Sequence, residues 1–211
     1  MMIKKIFRHV SVLLTALLAV TLFSTQAQSE PFDGAPSGAY EVDLSHASVV
    51  WKVSHSGFST YVGRFTDFAA DLTLDTEDFG KSSVSVDIKV DSIATAFPWP
   101  EEENFDEKLA KKWFKSEEFP SITFETTSVS PLVDNKAKVT GQMTMLGQSH
   151  PVVLDIVFNK GAASHPFKKV PIVGFSATTS LDRTVWGLSK YAPNIGAEVV
   201  VEIEGEFLMK K

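Results

Sequence analysis

The chain has no cysteine among its 211 residues. That excludes a disulfide, a thiol nucleophile, a thiolate metal site and a lipid-modified cysteine. Stability must therefore come from a buried apolar core. Three sequence patterns that usually announce chemistry are missing as well: the HExxH metal pair, the GxSxG nucleophile elbow and the GxGxxG phosphate loop. Long hydrophobic runs are scarce, and the one present spans residues 10–23.

That run follows Lys4, Lys5 and Arg8 and ends at the small residues Thr25-Gln26-Ala27. This is the layout of a secretory signal peptide over 1–27, cleaved after Ala27. The rival reading, a retained membrane anchor, fits less well because the run is shorter than the ~20 residues a spanning helix needs. The mature chain is thus expected outside the cytoplasm. Positive charge is in short supply there: cleavage removes three bases and no acid, so 17 Lys and Arg face 26 Asp and Glu, a net of −9. Such a surface repels phosphate backbones, which disfavours a nucleic-acid partner. Residues 28–39, rich in Pro, Gly, Ser and Ala, read as a flexible tether, leaving 40–211 as one domain.

From Tyr40 onward the apolar residues recur with a period of two. Val84, Val86, Ile88 and Val90 alternate with polar neighbours, and Ala197, Val199, Val201 and Ile203 alternate with Glu198, Glu202 and Glu204. Strands with one dry and one wet face produce this pattern. Eight such segments are present, at about 48–55, 62–74, 82–93, 121–129, 136–146, 150–159, 172–182 and 196–208. Short, turn-rich connections favour antiparallel neighbours, and closing into a barrel removes the exposed edges. The expected fold is an all-β, eight-stranded antiparallel barrel. An outer-membrane barrel would place apolar residues outside and polar ones within, but regular aromatic girdles are absent.

The insertion between strands three and four, residues 94–120, contains one helical pattern. Phe105, Leu109 and Trp113 recur at four-residue steps, Asn104 and Glu107 form a capping pair, and Lys108, Lys111 and Lys112 fill the outer face. Such a helix is expected to cover one barrel mouth. Its lysines would suit transient contact with an anionic membrane surface.

Four histidines follow Ala27: His46, His55, His150 and His165, none in a close pair or an acid-rich cluster. No metal site and no cofactor is expected. His55 ends the inward row of Trp51 and Val53, where it is either a structural hydrogen-bonder, a contact at the polar end of a pocket, or a catalytic base. Arg183 calls for an acid partner or a ligand head group, and an ion pair is the expected account. The inward rows decide between a solid core and a cavity. Small or flexible residues (Ala70, Gly141, Met143, Met145) among Phe68, Leu72 and Phe124 favour a cavity, with Phe175 and Trp186 as further wall positions.

The order of these segments resembles the YceI family of periplasmic lipid-binding proteins. The resemblance rests on YEVDLSHASVVWKVSHSGFSTYVGRF, Asp106 and Leu109, FPSITFET, GQMTMLGQSHPVVLDIVF, GFSATTSLDRTVWG and VVVEIEGEF, and spans Tyr40 to Phe207. It implies a lipocalin-like barrel that binds a polyisoprenoid or other long-chain lipid, with no established catalysis. Lys108, Val185 and Phe119 depart from the family pattern, which bears on head-group preference. At ~0.8 kcal/mol per buried methylene, or ~0.3 kcal/mol per atom for large ligands, a lipid of ~30–40 carbons reaches sub-micromolar binding. An enzyme on the same barrel and an acidic protein-binding scaffold are the alternatives; the sequence leaves the oligomeric state open, a homodimer included.

Overall fold

The structure, a computed structural model, describes residues 32–211, so the signal-peptide reading lies outside them. Ten strand segments follow one another: β1 (Gly38–His55), β2 (Ser59–Phe65), β3 (Phe68–Leu74), β4 (Ser83–Lys89), β5 (Ile93–Ala94), β6 (Ser121–Val129), β7 (Lys136–Met145), β8 (Gln148–Ala162), β9 (Ile172–Asp182) and β10 (Ile195–Met209). They make eight strands. Both β2 and β3 pair with β1, while β4 and β5 continue one line alongside them. The two interruptions meet at the same height, where the Thr66 amide donates to the Ser92 carbonyl at 3.1 Å and the Ser92 hydroxyl donates to the Asp67 carbonyl at 3.2 Å.

Every neighbouring pair is antiparallel, and β10 returns to β1 from Tyr40 opposite Met209 to Val53 opposite Val199. The sheet is therefore a closed barrel without a free edge. Val199, Val201 and Ile203 face the interior. Between them, Glu202 meets Lys52 at 2.7 Å and Glu204 accepts from Ser176 at 2.6 Å, both outside. An apolar interior with a carboxylate-bearing exterior is the reverse of a membrane barrel.

Antiparallel order also sorts the connections by end. The upper end collects residues 56–58, the insertion 95–120, the turn 146–147 and the connection 183–194. The lower end receives the chain at Phe32, the connections 75–82, 130–135 and 163–171, and the C-terminus.

Residues 32–37 do not behave as a tether. Phe32 is 2 % exposed, its ring centroid 4.8 Å from that of Phe158 and 5.8 Å from that of Phe79. Tyr40, fully buried beside it, donates its hydroxyl to the Pro36 carbonyl at 2.6 Å. Burying one phenylalanine contributes ~2 kcal/mol, enough to seat a short segment whose composition alone reads as loose. The strand itself begins at Gly38.

At the upper end the expected helix forms, in two pieces: α1 (Phe105–Lys108) runs into a wider π turn, Leu109–Trp113. Asn104 caps it by accepting from the Glu107 amide at 3.1 Å. Asp106 ties it to the barrel, accepting from the Thr95 amide at 3.0 Å and the Thr95 hydroxyl at 2.5 Å. The extra residue in a π turn changes which side chains share a face, so that Phe114 joins Phe105, Leu109 and Trp113 against the interior.

Candidate functional site

A cavity of about 650 Å³ occupies the upper half of the barrel. Its walls include Trp51 and Val53 of β1, Phe124 of β6, and Met143 and Met145 of β7. Phe105, Leu109 and Trp113 cover it from the helix. The hollow exists because two aromatic rings lie flat against the wall. A Cβ added at Gly63 would stand 2.1 Å from the Trp51 ring, and one at Gly141 would stand 2.3 Å from Phe124. The missing side chains on β2 and β7 leave room for these rings, which would otherwise project into the lumen.

Polar groups gather at the upper rim. His55, Tyr61, Tyr191 and Asn194 lie there, and the Ser56 amide donates to the Asn194 carbonyl at 2.6 Å. His55 is exposed, and among the described residues no side chain orients its imidazole. A general base normally has such a partner, so the arrangement fits a rim contact. Deeper walls are mainly apolar, with Ile122, Val152, Leu154 and Ile203, and Thr123 and Thr179 are the polar exceptions.

Arg183 corrects the ion-pair expectation. It is 7 % exposed, and its guanidinium donates to four backbone carbonyls: Gly196 at 2.8 Å, Ile195 at 2.7 Å, Lys190 at 3.2 Å and Leu188. Asp182 turns away to cap the 183–186 turn, accepting from the Thr184 amide at 2.9 Å. Burial pushes the Arg183 pKa down, and the nearby Asp182 charge opposes this. The carbonyls fix the connection 183–194 that forms one side of the rim, and the positive charge stays without a bonded carboxylate.

Two cavity residues carry unmet donors. The indole nitrogens of Trp51 and Trp113 are buried with no hydrogen-bond partner, at a cost of ~1–3 kcal/mol each. Trp186 lines neither hollow of the barrel: it is 2 % exposed, stands edge-on to His150, and donates to the Met143 carbonyl at 3.3 Å.

Below the main cavity lies a void of about 120 Å³. Phe68, Leu72 and Phe175, read from the sequence as walls of one pocket, line this lower space, with Phe79 and Phe207. Strand parity places them inward, but it does not say at what height. Leaving such a void empty costs about 3 kcal/mol at ~24 cal/mol per Å³. Sequence reasoning also missed Tyr61 and Phe65, which continue an inward row through Gly63, and Phe114 and Tyr191. The alternation signals the first pair; nothing local signals Tyr191.

Among the described residues one group of side chains has metal-ligand types within 4.8 Å of one another: Asp43, His46 and Glu206. Lys168 already donates to Asp43, as do the hydroxyl and amide of Ser45. Burial raises the Asp43 pKa, but the bonds from Lys168, Ser45 and His46 outweigh it and hold the carboxyl well below the ordinary range. It is an ion-pair knot at a bulge in β1, and it contributes nothing to the cavity walls.

Comparison with known proteins agrees with this geometry. The profile of the YceI-like domain matches residues 40–207. A UPF0312 protein of Pseudomonas putida is 34% identical over 157 residues, covering 73% of this chain and 78% of that protein. The crystal structure of a Campylobacter jejuni YCEI protein superposes with a TM-score of 0.64 at 25% identity, covering 75% of this chain and 90% of the other. A polyisoprenoid binding domain from Saccharophagus degradans shares the fold, with a TM-score of 0.56 at 10% identity over 81% of this chain and 98% of its own.

Proposed function

The chain belongs to the YceI-like domain family, and from that premise we propose that it is a periplasmic carrier which holds one polyisoprenoid or similar long-chain lipid inside the barrel. The observation that carries this reading is the polarity of the 650 Å³ cavity, whose walls below the rim are apolar apart from Thr123 and Thr179. A chain enters with its tail down, and an oxygen-bearing head group stays among His55, Tyr61, Asn194 and Tyr191. The unmet indole donors of Trp51 and Trp113 suit a ligand that brings its own acceptor. The basic, apolar N-terminus supports export.

At roughly 30 Å³ per heavy atom, the main cavity holds roughly 20 atoms. At ~0.3 kcal/mol each they contribute ~6 kcal/mol, which is binding in the tens of micromolar. Head-group contacts or further chain length must add the rest. Exchange with a membrane takes place at the upper end, where Phe58, Trp99 and Tyr191 are 92%, 58% and 57% exposed.

The test is Phe124→Trp and Met143→Trp, each measured for uptake of a prenol by native mass spectrometry. Folded variants that take up at least tenfold less prenol than the parent are expected. Undiminished uptake in both would remove the cavity as the binding site.

A further inference from the structure

The lower void and the main cavity share five walls: Val49 of β1, Val86 and Ile88 of β4, Leu154 of β8, and Ile203 of β10. Val49 and Ile203 stand directly opposite each other where β1 closes on β10. Val86 and Ile88 are successive inward positions on β4, and Leu154 reaches in from β8. One layer of branched aliphatic side chains, contributed from around the barrel, thus separates two apolar spaces stacked along one axis. None of the five carries a polar atom in its side chain, and none is held by a hydrogen bond.

Resting on the lipid-carrier reading, we infer that this layer is the floor that sets ligand chain length, and that the void beneath is a tail site for the last carbons of a longer hydrocarbon chain. The main cavity accepts roughly 20 heavy atoms, and the lower void roughly four more. A chain shorter than the floor leaves the lower space empty. A longer one can fill it only by turning the floor side chains aside, which offsets what its added carbons gain. The seat of Phe32, Tyr40 and Phe158 closes the lower end, so the combined space has a fixed bottom.

The experiment is binding of saturated primary alcohols of ~10 to ~40 carbons, in two-carbon steps, followed by native mass spectrometry on the whole mature chain. In the parent, affinity climbs by a constant factor per step and levels off near ~20 carbons. In Leu154→Ala, and in the milder Val86→Ala should the first fail to fold, the break moves out by about four to seven carbons. Adding Ala70→Leu, which fills the lower void, returns the break to the parental length. A break at one length in parent and floor variants overturns the floor, as does a parental affinity that rises without a break to the longest chain. Alcohols of every length failing to bind would overturn the lipid reading and the floor together, a result distinct from binding with an unmoved break.

Discussion

A hollow barrel depends on single residues that are absent as side chains. Gly63→Ala places a methyl group against the Trp51 ring, whose atoms are its three nearest neighbours. The ring can yield only toward the lumen, so the variant is expected to fold and to bind lipid at least tenfold more weakly, which a parallel titration would show. Gly141→Ala differs, because its methyl group would also stand 2.5 Å from the Glu125 backbone carbonyl. Backbone cannot step aside as a ring does, so this change is expected to destabilise by ~1–3 kcal/mol in urea melts. Asp43 sets a pH dependence. Its folded pKa lies below the unfolded value near 3.9, so its contribution is complete at neutral pH and is lost as pH falls below the ordinary carboxylate range. Asp43→Asn should therefore be less stable than the parent at pH ~7, with the gap closing in acid; an equal gap at all pH values would refute the assignment.

At the scale of elements, strand parity was legible and its axial placement was not. Alternation located all eight strands, and the interior face of β10 was readable from Val199, Val201 and Ile203 because Glu198, Glu202 and Glu204 mark the opposite face. Height along the barrel depends on register between strands distant in sequence, which is why Phe68, Leu72 and Phe175 fell to the lower void. Arg183 was misread for a related reason: two of the carbonyls that receive it, of Leu188 and Lys190, belong to a loop with no periodicity, and the other two to the first residues of β10. The helix was legible through its cap and its four-residue steps, while the π turn that adds Phe114 leaves no mark in the spacing. Fewer of its lysines are free for an anionic surface than their number suggests. Lys108 pairs with Glu103 at 2.5 Å and Lys111 with Glu107 at 2.7 Å, leaving Lys112 without a carboxylate partner among the described residues. Exposed pairs like these are worth under ~1 kcal/mol, so transfer between vesicles should respond more to loss of Phe58 and Trp99 than to a triple Lys→Glu change. Asn104→Ala, which removes a cap worth ~1 kcal/mol, should speed lipid exchange by loosening the cover.

For the molecule as a whole, the barrel reads as a vertical series: a capped upper mouth with polar groups, a large apolar chamber, a removable aliphatic floor, a small dry void and an aromatic seat built around Phe32. Closure of β1 on β10 makes that series a single container, so a carrier built on it is expected to select by length and shape. The central claim is that this container holds one long lipid. It is tested most directly by native mass spectrometry of the protein released without detergent from the cells that make it. The account predicts a chain beginning after Ala27 that carries one added mass, near one to one, which dissociates as a single lipid of roughly 20 to 25 chain carbons. A chain that emerges bare, and stays bare after incubation with prenols of matching length, would contradict it.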